Sequence, residues 1–203
     1  MACCSGTLVQ DVPDYLIGLY FASANTIYVN LFAASEVRWT VNGVPVRLAQ
    51  TTRYPEGGEI ELRIEVPTPV LFTVHVRIPG WLESPARLSV NDKPWDAPAE
   101  RGTFASIRRS WKRNDTIQVA LPFSLRTEPV DQQHADTVAV MWGPLMLVAL
   151  SPTPGVSLPL PQGLRRAPYN PATFELEFRG KRLRFTPFYA VGDQTYTNYL
   201  VRA

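Results

Sequence analysis

The sequence places its only two cysteines side by side, in the opening run "MACCSGTLVQ". A disulfide between neighbouring residues strains the geometry that the bridge needs, so Cys3 and Cys4 do not read as a structural pair. Three uses remain for the thiols: metal ligands, a reactive nucleophile, or small apolar side chains in a core. As zinc ligands they form half a site, because structural zinc takes about four ligands. The two histidines do not obviously complete it. His75 lies in the alternating run "LFTVHVRI" and reads as an ordinary strand position, and His134, in "DQQHAD", reads as a solvent-facing loop residue.

Glycosidic bonds are usually cleaved by paired carboxylates. Asp11, Asp14 and Glu36 are nearest in sequence to the cysteines, but nothing in their spacing separates them from capping or solvated carboxylates. The aromatic faces of Trp39, Trp81, Trp95, Trp111 and Trp142 could stack on sugar rings, although most tryptophans of a β-sandwich fill its core. The chain has no glycine-rich phosphate loop, no Ser-His-Asp arrangement and no nucleotide motif.

The elements that must position these residues change character early. Over residues 8–22 the apolar positions Val12, Leu16, Leu19 and Tyr20 fit a helical stripe, with Pro13 tolerated in the first turn, and predict one helix of about three turns. After Asn25 the period becomes two. "TIYVNLFA", "EVRWTVNG", "VPVRLAQTT", "EIELRIEV" and "VLFTVHVRI" alternate apolar with polar residues and are rich in Val, Ile, Thr and aromatics. In "EIELRIEV" the inward set is Ile60, Leu62, Ile64 and Val66, and the glutamates with Arg63 form a wet face. Asn42-Gly43, Gly57-Gly58 and Pro67 with Pro69 mark turns. "ARLSVND", "FASIRRSW" and "TIQVALPF" continue the pattern, with "KRND" read as a hairpin turn before the last. Residues 151–171, with six prolines, read as a long extended loop or linker over the surface. "TFELEFRG" and "KRLRFTPF" then predict a hairpin around Gly180. The fold class is mainly β: an antiparallel β-sandwich region behind one N-terminal helix.

With 203 residues the chain is long enough to bury a sizeable core. Its 45% hydrophobic and 19% charged residues and net charge of +2 describe an ordinary globular protein. That charge does not point to nucleic acid or an anionic membrane, and no apolar run reaches the roughly 20 residues of a membrane helix. The opening lacks the basic and apolar regions of a secretory signal, and two cysteines leave the compartment open. Potential chemistry at the third residue leads us to expect the C-terminal part of a longer polypeptide.

The run "CCSGT", followed by a helix and "TIYVNLFAASEVRW", resembles the end of the catalytic domain of glycoside hydrolase family 127, the β-L-arabinofuranosidase-like proteins. The resemblance continues in order through "VRIPGW", "LSVNDKPW", "SIRRSWKRNDTIQVALPF", "VAVMWGPLMLVAL" and "TPFYAVGDQTYTNYL". It implies an (α/α)6 barrel followed by β-sandwich domains. Residues 1–24 would then be the last part of the barrel, 25–150 a β-sandwich domain, and 151–203 a linker and C-terminal β segment. The family's nucleophile is a zinc-bound cysteine, the metal being held by three cysteines and a glutamate. The resemblance thus makes Cys3 nucleophile and zinc ligand and Cys4 a second ligand, with the third cysteine, the ligand glutamate and the acid/base glutamate upstream, in the missing N-terminal helical domain. The substrate would be an arabinofuranoside-like carbohydrate. "CCSGT" departs from the "CCPPN"-like sequence of the characterised enzymes, which leaves the sugar open. The rival reading is a non-catalytic carbohydrate-binding or scaffolding β-sandwich module. A small zinc or redox protein is disfavoured by the lack of further ligands.

Overall fold

The structure, a computed structural model, describes residues 15–96, 98–150, 157–168, 170 and 172–203. It divides into two compact units, one ending at Pro122 and the other spanning Phe123–Ala203. Cys3 and Cys4, with Asp11 and Asp14, lie outside the described residues.

In the first unit a helical turn at residues 15–17 leads into β1 (Tyr20–Ser23) and β2 (Thr26–Val29). There follow β3 (Ser35–Val41), β4 (Val44–Thr52), β5 (Glu59–Glu65), β6 (Val70–Arg77), β7 (Arg87–Val90), β8 (Lys93–Pro94), β9 (Phe104–Trp111) and β10 (Asp115–Ala120). They form a four-stranded sheet in the order β1-β2-β6-β9 and a six-stranded sheet in the order β3-β4-β5-β10-β7-β8. All pairs in this unit are antiparallel except β2 with β6, which are parallel because the chain visits the other sheet between them.

Alternation decides which face is buried. Ile60, Leu62, Ile64 and Val66 are at most 4% exposed, as their spacing predicts. Val46, Leu48, Ile117 and Val119 join them from the same sheet, opposite Ile27, Phe72, Val74, Val76 and Ile107 of the four-stranded sheet. The sheets meet where Trp39 of β3 packs edge-on against Phe72 of β6, ring centroids 5.5 Å apart. Trp111 is fully buried beside Phe72 and donates its indole N–H to the Phe72 carbonyl at 3.1 Å. Asn42 and Gly43, both at positive φ, close the β3–β4 hairpin, the two-residue turn that matches strand twist.

Two local elements differ from the sequence expectation. Residues 20–23 are strand rather than the end of a helix: Tyr20–Ser23 pairs residue for residue with β2, and this tertiary pairing outweighs the short helical stripe. The "KRND" turn does not close a hairpin, because β9 pairs with β6 and β10 with β5 and β7. It carries the chain from one sheet to the other. Buried Asp115 secures that crossing by accepting the Lys112 backbone N–H at 2.9 Å and the Asn91 amide at 2.8 Å, with Arg109 at 3.5 Å.

The second unit holds β11 (Leu125–Pro129), β12 (Thr137–Trp142), β13 (Leu145–Leu150), β14 (Ser157–Leu158), β15 (Arg165–Arg166), β16 (Phe174–Phe178), β17 (Lys181–Pro187), β18 (Tyr196–Thr197) and β19 (Leu200–Arg202). One sheet runs β14-β19-β12-β13-β17-β16-β15, with β11 on β12 and β18 on β13. The β16–β17 hairpin turns at Arg179 and Gly180, both at positive φ, as the sequence suggests. Residues 157–168 differ from the surface loop expected there. Leu158, Leu160 and Leu164 are at most 4% exposed and pack with Val140, Leu147, Phe174 and Phe185 in the core. The prolines mask a leucine every few residues, and burial of those leucines is what fixes the segment.

Gly143, at φ +55° in the β12–β13 turn, faces the Phe123 ring so closely that a Cβ would sit 2.7 Å from it. Gly143→Ala therefore combines backbone strain with a clash and is expected to cost at least about 1 kcal/mol, read as a lower urea midpoint.

Candidate functional site

Among the described residues no group of three or more His, Cys, Asp or Glu side chains could hold a metal ion. The sequence candidates that lie within the described residues, Trp95 aside, have other occupations. Glu36 of β3 sits between Arg38, whose Nε donates to it at 2.7 Å, and Arg47, which donates to its other oxygen. Arg47 also pairs with Glu65 at 2.8 Å. The Arg47 and Arg38 hydrogen bonds hold the Glu36 carboxyl down to about 2. It stays ionised at neutral pH and has no proton to give a leaving group, so it is a surface ion-pair partner rather than an acid catalyst.

This has a pH consequence of definite sign. A carboxyl lowered on folding contributes stability that is present above its unfolded value, near 4.5, and is lost as pH falls toward about 2. Carboxyl NMR is expected to show Glu36 titrating near the lower value, and Glu36→Gln to flatten stability loss across that window. A midpoint at the ordinary carboxylate value contradicts the ion-pair geometry.

His75 lies in β6 with its ring stacked on Tyr28 at 4.3 Å and its Nδ1 2.8 Å from Ser106 Oγ. Burial pushes its pKa down, which keeps the ring neutral. His134 is exposed and pairs with Asp131 at 2.9 Å. Trp39, Trp111 and Trp142 pack against other rings: Trp39 and Trp111 on Phe72, Trp142 on Phe123 and Phe174. Trp81 hydrogen-bonds with Tyr54. Trp95 alone of the five borders an open groove without ring contacts among the described residues.

The described residues do show how the strand following the cysteine-bearing segment is fixed. Leu19 is 7% exposed, and its carbonyl accepts the Asn30 and Leu31 backbone N–H groups at 2.9 and 3.3 Å. Asn30 Nδ2 donates to the Gly18 carbonyl at 2.9 Å, and Arg77 donates to Asn30 Oδ1 at 2.9 Å. Tyr20 Oη lies 2.8 Å from Ser35 Oγ and accepts from Gln50 Nε2 at 3.0 Å. Gln50 is 3% exposed, and its second donor contact reaches the Leu31 carbonyl at 3.3 Å. Burial raises the Tyr20 pKa, so its hydroxyl remains protonated within this network. Beside this anchor Leu16 is 65% exposed and Phe21 52%, whereas Leu19 is buried and Tyr20 half-buried. The sequence reading did not single out Gln50. Its signal was a polar residue at an inward position of "VPVRLAQTT", in phase with Val46 and Leu48.

The geometry defines a fold class: mainly β, with largely antiparallel sheets in two compact units. The family model for the middle domain of the GH127 β-L-arabinofuranosidases matches residues 26–123. A non-reducing end β-L-arabinofuranosidase of Bifidobacterium longum subsp. longum is 27% identical over 158 residues, covering 73% of this chain and 23% of that protein. A solved GH127 β-L-arabinofuranosidase from Geobacillus stearothermophilus T6 superposes with a TM-score of 0.78 at 21% identity, over 100% of this chain and 38% of its own. A second solved structure, a GH127 β-arabinofuranosidase, gives 0.70 at 23% identity over 91% of this chain and 36% of its own. These structural likenesses show the fold. Residues 26–123 thus resemble the middle domain of glycoside hydrolase family 127, and the chain spans well under half the length of these relatives.

Proposed function

We propose that the chain is the C-terminal part of a retaining glycoside hydrolase acting on arabinofuranoside-like sugars, with Cys3 as nucleophile. The family match over residues 26–123, separated from "CCSGT" by 18 residues, is the observation that carries this reading. Cys3 and Cys4 would hold zinc together with a cysteine and a glutamate from the helical domain that precedes them. Two soft sulfur donors suit that metal and supply half of its usual ligand set. When bound, zinc keeps the ligating thiol deprotonated at neutral pH.

The Cys3 sulfur attacks the anomeric carbon as the glycosidic bond breaks, and a carboxylic acid of the helical domain protonates the departing oxygen. The same carboxylate then takes a proton from water, which displaces sulfur and releases the sugar with retained configuration. The two steps, cleavage of the glycosidic bond and then of the carbon–sulfur bond, thus follow the double displacement of retaining glycosidases with sulfur in place of carboxylate. The anchor at Leu19, Tyr20, Asn30 and Gln50 ties the β region to the strand that follows the nucleophile segment.

The isolated 203-residue chain lacks two ligands and the acid/base group, so it binds zinc weakly and does not hydrolyse substrate. The test is turnover of an aryl β-L-arabinofuranoside by the full-length enzyme and by this chain. Activity in the first alone is expected. A full-length enzyme without glycosidase activity supports the rival, a non-catalytic carbohydrate-binding or scaffolding module.

A further inference from the structure

The outer face of the six-stranded sheet carries a groove of about 670 Å³ that the proposed reaction does not use. Its floor is Ala120 of β10, paired with Glu59 of β5 on one side and Arg87 of β7 on the other. Their neighbours Ile60, Leu88 and Val119 are buried, so these three side chains point outward. A methyl group between two long side chains leaves a depression. Strands two apart place Glu59 and Arg87 roughly 10 Å from each other, a span that fits a ring-sized group.

The walls are polar and already ordered. Ser89 Oγ donates to Gln118 Oε1 at 2.6 Å, and Gln118 Nε2 donates to Asp92 Oδ1 at 3.0 Å. This chain of bonds fixes the amide and leaves the second Asp92 oxygen and the Ser89 lone pairs for a ligand. Trp95 closes one side, its backbone N–H held by the Leu88 carbonyl at 2.9 Å. Its indole N–H is shielded from solvent and has no partner among the described residues, an arrangement that leaves a donor unsatisfied. No hydrogen bond or ion pair among the described residues engages the side chains of Glu59, Arg87 or Asp96.

An aromatic wall, interleaved donors and acceptors, and three carboxylates against one guanidinium describe a ligand that both donates and accepts hydrogen bonds and carries no negative charge. We propose that this groove binds a neutral saccharide, with Trp95 packing on a sugar face and Glu59, Arg87, Asp92 and Asp96 taking its hydroxyls. That the polyhydroxylated ligand is a sugar rests on the glycosidase reading; the groove itself does not depend on Cys3.

The experiment titrates the 203-residue chain with L-arabino-oligosaccharides, following amide and indole N–H shifts by NMR. Shifts are expected at Trp95, Ser89 and Gln118. Trp95→Ala and Ala120→Leu, the second filling the floor from the outer face, are each expected to weaken binding by at least about tenfold. Tyr199→Ala, an exposed position in the second unit, leaves it unchanged. No shifts in the unsubstituted chain, equal binding by both groove variants, or a response only to a divalent cation or a basic peptide overturns the proposal. Failure of the glycosidase reading shows instead as absent turnover in the full-length enzyme, which these titrations do not measure.

Discussion

Cys3→Ala in the full-length enzyme is expected to lower turnover by on the order of 10⁴-fold or more, with the fold intact. In the proposed mechanism the sulfur bonds to the anomeric carbon, and alanine offers no substitute for it. Cys4→Ala is expected to fail for a different reason, through loss of zinc and with it the thiolate state of Cys3. The two variants separate by metal analysis and by rescue. Excess zinc restores part of the activity of Cys4→Ala and none of that of Cys3→Ala. Retained activity in Cys3→Ala contradicts the assignment.

The largest stability effect is expected at Trp111. It is fully buried, packs on Phe72 and spends its indole N–H on the Phe72 carbonyl. Trp111→Ala opens a cavity and strands that carbonyl, which together cost about 3–5 kcal/mol. A domain of this size has about 5–15 kcal/mol of stability, so the first unit is left marginal or unfolded at room temperature. Loss of near-UV circular dichroism in this variant, with far-UV signal weakened, is the expected reading. A variant with an unchanged unfolding midpoint shows that Trp111 does not organise the core.

The sequence revealed the β class and much of the strand pattern because alternation is local. "EIELRIEV" states its buried face outright, and Asn42-Gly43 and Gly180 state their turns. It did not reveal which strands pair. "FASIRRSW" and "TIQVALPF" look like a hairpin around "KRND", yet partners from distant strands capture each of them. Tyr20–Ser23 was lost to the same cause, since a short segment with a helical stripe becomes strand when a partner is available. The leucines of residues 157–168 were hidden among prolines, whose turn signals outweighed the apolar spacing. At the candidate site, residue type carried Cys3 and Cys4, and the resemblance supplied their roles. Neither could expose Trp95, Ala120 and Arg87 as one groove, because strands far apart in sequence assemble it.

The central claim is that a cysteine of this chain attacks the sugar. A bromoacetyl glycoside of an arabinofuranose, applied to the full-length enzyme and followed by peptide mass spectrometry, tests it most directly. The account predicts a single label on the Cys3 sulfur, formed in step with loss of activity and slowed by substrate. Labelling of a carboxylate, with Cys3 unmodified and Cys3→Ala fully active, contradicts it.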